Sequence, residues 1–405
     1  MIEKRNYDMH YRWPVITSEI KENVLEQLDT AVSIYDSSGV IKSFEDELSR
    51  YYNKKHALLV SSGTAALYSA FYSLGLYEKD EVICCAYGFF ATCTPLFFFP
   101  GKIVLVDSNL FGNICFEEIE KAKNVNTRAI VITHMWGRVV EDYDKIVKLC
   151  KENNIVLIED ASHCHGGKMD DKPIGADADI VIMSLQGNKI ITGGEGGVLL
   201  TNSDELFYKA VFLGHYNKRC IQQIPTTHHL YQFAQTGAGL KLRIHPVAAR
   251  MAQTMFKHLD KIVCERNEFA RYLDSGLKNN PLIEIMEVPS RFYHSRYAYT
   301  FLFKGSEKEK ERFMELALKN RIYDIDIPGS TRSLTSFALF TNPEILSEKF
   351  KGKCEVFSSN NAKRVEKVLI KLPCWQEEHM YMAEFYVKTL NKITQEILIT
   401  QEANV

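Results

Sequence analysis

The chain has 405 residues, 46% of them hydrophobic and 25% charged, with a formal net charge of -2. This length and composition imply two or three folded units and exclude a disordered or low-complexity chain. A near-neutral charge offers no basic field to a polyanion, so nucleic acid is not an expected partner. The most apolar stretch, residues 89–100, is broken by Thr92, Thr94 and Pro95 and falls short of the roughly 20 apolar residues that span a bilayer, so no membrane is expected either.

The start, Met1-Ile2-Glu3-Lys4-Arg5-Asn6, has no apolar core of the signal-peptide kind, which makes the cytoplasm the expected compartment. The ten cysteines, among them the adjacent Cys84 and Cys85, lack Cys-x-x-Cys spacing, so reduced and mostly buried thiols are expected and no metal. Residues 17–31 read as a helix with a Thr/Ser start. Ser43-Phe44-Glu45-Asp46 begins another, with a cap-like serine and an acidic first turn. Both are expected to pack on the core as an N-terminal arm.

From residue 56 to 201, short apolar runs alternate with amphipathic segments. The runs are 57–60, 81–84, 103–106, 129–132, 155–158, 180–183 and 197–200. Being unbroken rather than alternating, they imply strands covered on both faces, a three-layer α/β core around a mainly parallel seven-stranded sheet. Segments 117–123 and 143–153 carry apolar residues at helical spacing and read as crossover helices. Farther on, 245–273 reads as one long helix, followed by a strand at 297–303, a helix at 307–319 and a helix from Met380. The expected division is an arm and large α/β domain over residues 1–245, then an interdomain helix and small α+β domain over 246–405.

Chemistry-bearing residues stand at the ends of the runs. Ser61-Ser62-Gly63-Thr64-Ala65 follows the first run and opens a helix, where free amides bind phosphate and Gly63 permits close approach; a plain helix cap has the same composition. Tyr87-Gly88-Phe89-Phe90-Ala91-Thr92 brings an aromatic ring to the carboxyl edge, where open α/β sheets bind ligands, although Phe89 could equally be core. Asp160 ends a strand, with His163 three residues on; a lone histidine is more often structural than a ligand. Ser184 and Lys189 lie past the next strand, before the flexible run Gly193-Gly194-Glu195-Gly196-Gly197. A carboxylate, a hydroxyl and an amine in this order suit pyridoxal 5'-phosphate (PLP). Lys189 would hold the aldehyde as an imine and act as the catalytic residue. Asp160 would keep the pyridine nitrogen protonated so that the ring accepts electrons from a substrate carbanion.

Five motifs together resemble the DegT-type PLP-dependent sugar aminotransferases, of fold type I (aspartate aminotransferase-like), over nearly the full chain. They are Ser38-Gly39 with Phe44-Glu45, Ser62-Gly63-Thr64-Ala65-Ala66-Leu67, the segment from Tyr87 to Thr92, Glu159-Asp160-Ala161 onward to Gly166, and Ser184 to Lys189 with Gly194-Glu195-Gly196-Gly197. The resemblance implies a homodimer with a shared active site, the phosphate held by Thr64, Ala65 and Ser184, and the ring stacked on Phe89 and bound by Asp160 and His163. His134-Met135-Trp136-Gly137 looks like the family's His-x-aromatic-Gly turn, with no catalytic task implied.

Three departures bear on the substrate. The family's Gly-x-Asn-x-Arg segment is Gly239-Leu240-Lys241-Leu242-Arg243 here; Lys241, as a point charge, suits the partner's cofactor phosphate or an anionic substrate. Residues 215–237 are longer and richer in His, Gln and Tyr, as in a substrate lid or an exposed dimer loop. Tyr297 stands in place of a family His.

The implied activity is ping-pong transfer from L-glutamate to a keto sugar, nucleotide-linked in the first instance, in glycan or secondary-metabolite biosynthesis. A keto sugar phosphate, a keto cyclitol or a small keto phosphate are alternatives. A PLP-dependent sugar dehydratase resembles this chain except that His stands where Lys189 is. A non-catalytic PLP-binding regulator would lack both a DNA-binding module and a use for the Asp160 and Lys189 pair.

Overall fold

Strands that must be covered on both faces need helices between them, and the chain supplies them in alternation. The computed structural model describes residues 11–376 and 379–402; the hexapeptide read above at the N-terminus lies outside them. Two helices come first, α1 (Ser18–Thr30) and α2 (Gly39–Tyr51). The core follows as β1 (His56–Val60), α3 (Gly63–Leu74), β2 (Glu81–Cys85), β3 (Lys102–Val106), α4 (Phe116–Ala122), β4 (Thr127–Thr133), α5 (Tyr143–Asn153), β5 (Val156–Asp160), β6 (Ile180–Ser184) and β7 (Gly197–Thr201). Thr17 caps α1, its hydroxyl accepting from the Ile20 N–H at 3.2 Å, as its residue type foretells.

All seven expected runs enter one sheet, but that sheet has eight strands, in the order β1-β7-β6-β5-β4-β2-β3-β9. The added strand, β9 (Cys354–Val356), comes from the C-terminal part of the chain and pairs parallel to β3. The sequence reading missed it because the strand is three residues long, with Glu355 and Val356 exposed. Only β7 runs antiparallel, pairing with β1 on one side and β6 on the other. The carboxyl ends of β1, β2, β4, β5 and β6 therefore share one edge, the edge where ligands of open α/β sheets sit.

After β7 come α6 (Asp204–Gly214), α7 (Lys218–Gln223), α8 (Pro246–Phe256), α9 (Leu259–Leu277), β8 (Tyr299–Phe303), α10 (Glu307–Lys319), then β9, α11 (Asn360–Val368), β10 (Leu369–Leu372) and α12 (Tyr381–Glu402). A second core forms among α9, β8, α10, β10 and α12 around Phe269, Phe301, Phe313 and Tyr386. The single helix expected over 245–273 is two. Pro246 opens α8 at its first position, where a missing N–H is harmless. At the junction the His258 N–H bonds to Met255 rather than one residue farther back, tightening the turn and redirecting α9. Likewise α2 begins at Gly39, with φ +53, not at Ser43.

The Phe44-Glu45 motif has a packing reason. Glu45 is buried, accepts from the Leu59 N–H at 2.8 Å, and receives Arg219 Nη2 on both oxygens at 2.8 Å. One carboxylate thus ties α2 and α7 to the strand that leads into the Ser62-Gly63 turn. All ten cysteines are unpaired, and only Cys264 is exposed. Among the described residues no helix is long and apolar enough to cross a membrane.

Candidate active site

At the shared edge, a cavity of about 450 Å³ is lined by Gly63, Thr64, Phe89, Asp160, His163, Ser184 and Lys189, among others. Its volume lies within the roughly 300–1,000 Å³ range of small-molecule sites. Two glycines shape the turn after β1. A Cβ on Gly63 would lie 2.8 Å from Ser184 Cβ, and one on Gly197 only 2.2 Å from the Ser62 carbonyl oxygen, so the turn presses directly against the ends of β6 and β7. Ser62 caps α3, its hydroxyl accepting from the Ala65 N–H at 3.0 Å.

The Ala65 amide expected on a phosphate is therefore occupied by the cap, and Ala65 does not line the cavity, unlike Gly63 and Thr64. Lys241 also lies outside the cavity of its own chain. It is exposed, at φ +52, with its amine 5.8 Å from the Tyr216 ring centre.

Asp160 is 4% exposed and held by two donors, the Thr92 hydroxyl at 2.8 Å and the Ser162 N–H at 3.1 Å. Ser162 also accepts from the Ser184 N–H at 3.0 Å, which couples the carboxylate strand to the serine strand. Lys189 follows in the turn after β6, its N–H bonded to the Gln186 carbonyl at 2.9 Å. Burial lowers its amine from the usual lysine range to about 8, against an opposing pull from Asp160. Near neutral pH a usable fraction of that amine is unprotonated, the form required of a nucleophile or base.

His163 is buried and stacked on Tyr297, with ring centres 4.2 Å apart and planes 8° apart; Trp136 lies beside both rings, 5.7 Å from His163 and 6.3 Å from Tyr297. Burial, then the nearby Lys189, pushes its pKa well below the ordinary histidine value, so the ring is neutral, and its Nδ1 has no partner within the protein. Phe89 is 37% exposed and lies 4.3 Å from the Phe90 ring.

The His134-Met135-Trp136-Gly137 turn explains the stack. Trp136 adopts φ +59, uncommon for a bulky residue, and a Cβ on Gly137 would lie 2.5 Å from the Tyr297 nitrogen. The turn therefore lies flat on the chain at 295–298 and seats Tyr297 in the cavity wall. His134 acts behind the site. Its Nδ1 accepts from the Val140 N–H at 3.0 Å, so its Nε2 carries the proton and donates to Glu159 at 2.7 Å, while the Tyr143 hydroxyl donates to the other Glu159 oxygen at 2.9 Å. Glu159 has no exposure, and these two donors compensate its buried charge.

Glu205 on α6 and His228 and His229 of the segment 215–237 bring side-chain ligand atoms within 4.8 Å of one another. The Leu230 N–H donates to His228 Nδ1, which leaves the proton on Nε2 to donate to Glu205 at 2.8 Å. The His228–Glu205 bond thus ties the segment to α6, with the His229 ring packed against His228 at 4.4 Å.

The residues fit PLP on grounds internal to this fold: a carboxylate with fixed donors, a lowered amine, an exposed aromatic face, a glycine-tight turn with the Thr64 and Ser184 hydroxyls beside it, and a buried histidine nitrogen without a partner. Sequence reasoning assigned no role to Thr92 or Ser162, although both stand inside motifs it quoted. It also missed Ser330 and Thr331, which reach the cavity because Thr331 pairs with Phe89 across a short antiparallel ladder. No local pattern announces that pairing.

Comparison with known proteins gives the same picture. The model of the DegT/DnrJ/EryC1/StrS aminotransferase family matches residues 14–381. The UDP-4-amino-4,6-dideoxy-N-acetyl-beta-L-altrosamine transaminase of Campylobacter jejuni is 28% identical over 364 residues, 88% of this chain and 90% of that protein. The GDP-perosamine synthase of Escherichia coli O157:H7 is 28% identical over 307 residues, 76% of this chain and 81% of its own length. The crystal structure of an aminotransferase from Psychrobacter cryohalolentis superposes with a TM-score of 0.83 at 21% identity, covering 96% of this chain and 99% of that one, which shows a shared fold.

Proposed function

The chain belongs to the DegT/DnrJ/EryC1/StrS aminotransferase family, and on that premise we propose that it transfers an amino group from L-glutamate to a keto sugar carried on a nucleotide. It is a PLP-dependent aminotransferase. Both named relatives take their names from amino sugars linked to GDP or UDP, which supports a nucleotide-linked acceptor. The observation that carries the reading is one cavity lined by both the Asp160 carboxylate and a Lys189 amine lowered to about 8.

When bound, PLP supplies an electron sink for the carbanion formed beside the amino group. The residues of this chain would do the rest. Lys189 would hold the cofactor through its amine and, once released, would carry on Nζ the proton taken from the donor's α-carbon. Asp160, oriented by Thr92 and Ser162, would keep the ring nitrogen protonated. Phe89 would offer its face to the ring, and His163 would offer its unpartnered Nδ1 side to the phenolic oxygen. Thr64 and Ser184 would present hydroxyls to the phosphate, with Gly63 permitting the approach. Retention of Lys189, where the dehydratase branch has His, favours amino transfer over elimination.

A homodimer completes this reading. Leu25, Leu28, Val32 and Tyr35 on and after α1 are 48–61% exposed, as are Phe233 and Leu240 at 49% each, an apolar display that a second copy would cover. Across that interface Lys241 would reach a phosphate or an anionic substrate. The unpaired cysteines agree with a reducing cytoplasm.

The test is spectroscopic. PLP-loaded protein should show a visible cofactor band that Lys189→Ala abolishes together with turnover. Wild-type protein without the band after PLP is added, or full turnover by the variant, would overturn the assignment. Protein carrying pyridoxamine phosphate, mixed with a panel of nucleotide-linked keto sugars, keto sugar phosphates and keto cyclitols, identifies the acceptor.

A further inference from the structure

Lys189 is held at both ends by groups that the chemistry above does not use. At its backbone, the indole Nε1 of Trp13 donates to the Lys189 carbonyl at 2.7 Å. At its tip, the ammonium stands 5.0 Å from the centre of the Tyr297 ring. Both holds converge on Arg266, a guanidinium only 1% exposed. Its Cζ lies 4.5 Å from the Trp13 ring centre, its Nη1 donates to the carbonyls of Arg296 and Tyr297 at 3.1 and 3.2 Å, and its Nη2 donates to the Tyr11 hydroxyl at 2.7 Å. The contacts close a ring from Lys189 through Trp13, Arg266 and Tyr297 back to Lys189.

We propose that Trp13, Arg266 and Tyr297 are positioning residues for Lys189, by which the N-terminal segment and the C-terminal part of the chain set where the reactive amine stands. A lysine side chain has four rotatable bonds before its nitrogen, so a fixed strand end alone does not place Nζ. The indole bond fixes the backbone from which the side chain starts, and the aromatic face gives the cationic form a preferred resting place. Arg266 makes the two holds interdependent, because its buried charge needs both the Trp13 face and the carbonyl acceptors.

The Trp13 segment is itself anchored. The Tyr11 N–H donates to Asp324 at 2.7 Å, and the Tyr11 ring meets Trp375 edge-on at 5.2 Å. Trp13 lies one residue before the segment matched by the family model, so this hold is additional to the matched motifs.

The proposal rests on Lys189 being the cofactor amine, and the experiment separates the two. Cofactor-free protein is mixed with PLP, and the rate at which the visible band appears is followed from pH 6 to pH 10, a process that needs the neutral amine. The titratable and charged groups around that amine are Asp160, Glu195, His163, His165 and Tyr297. Trp13→Phe keeps an aromatic ring beneath Arg266, smaller than the indole, and removes the N–H donor. It should load PLP about ten-fold more slowly at every pH, with an unchanged midpoint. Tyr297→Leu removes the aromatic face and should move the midpoint down by about half a unit to one unit, while Tyr297→Phe, which keeps the face, restores it. Wild-type loading rates for Trp13→Phe, or a wild-type midpoint for Tyr297→Leu, overturn the proposal. The Trp13→Phe arm decides alone if the leucine variant does not fold. A Lys189→Ala protein that still develops the band would instead overturn the cofactor assignment.

Discussion

Replacing Gly63 with Ala tests whether the turn after β1 is the phosphate cradle. The new Cβ would lie 2.8 Å from Ser184 Cβ and 3.1 Å from Ser184 Cα. Carbon atoms rest at about 3.5–4.0 Å, so the start of α3 and the end of β6 must part by roughly 0.5–1 Å. Ser184 cannot yield as a flexible tip, because its backbone is paired with Gly197 and its N–H is bonded to Ser162. Overpacking of this kind costs about 1–3 kcal/mol, offset by up to about 1 kcal/mol from the better helix propensity of Ala. No left-handed φ is involved, so backbone strain adds nothing. The cofactor-free fold should thus lose only about 0–3 kcal/mol. PLP affinity should fall about 10- to 100-fold, since a site misplaced by more than about 0.5 Å no longer matches its ligand. Titration of cofactor-free protein with PLP, alongside urea unfolding, measures both. Gly214→Ala serves as comparison, because its Cβ meets Leu242 Cβ at an acceptable 3.4 Å. A Gly63→Ala protein that binds PLP within about two-fold of the native affinity would refute the placement of the phosphate at this turn.

Glu45→Ala leaves the Arg219 guanidinium, 1% exposed, without its carboxylate, and should cost about 3–5 kcal/mol in urea unfolding. Glu45→Met combined with Arg219→Leu should recover most of that loss; a single-variant loss below about 1 kcal/mol would contradict the pairing. The Lys189 amine, lowered to about 8 by burial against the opposing pull of Asp160, fixes a pH effect with a definite sign. Unfolded lysine titrates near about 10.4, so between about pH 8 and pH 10.4 the unfolded chain binds the extra proton and the stability of the cofactor-free protein rises with pH. Below about pH 8 the penalty for the charged amine is fully present. Lys189→Met should lack this rise relative to wild type in urea midpoints taken across that window. Finally, Leu28→Asp puts a charge into the apolar display on α1, where Leu28 is 48% exposed, and should shift sedimentation from dimer toward monomer. An unchanged dimer would show that α1 is not in the interface.

What the sequence determined by itself was local. Unbroken apolar runs named the seven core strands, because burial on both faces leaves its mark on consecutive residues. Gly63, Asp160, Ser184 and Lys189 were legible because each ends a strand or follows one by a few residues, and a parallel sheet brings all such ends to one edge. Tertiary structure decided what depends on distant chain. The Ala65 amide went to the Ser62 hydroxyl, a choice fixed by cap geometry rather than residue type. β9 joined the sheet as a strand too short and too exposed to announce itself. Trp13 reached Lys189 across 176 positions, and Tyr297 took its place beside His163 because the Trp136-Gly137 turn lies against its backbone. Residue periodicity records how much of an element is covered, not which distant element covers it, so these contacts existed only once the chain had packed.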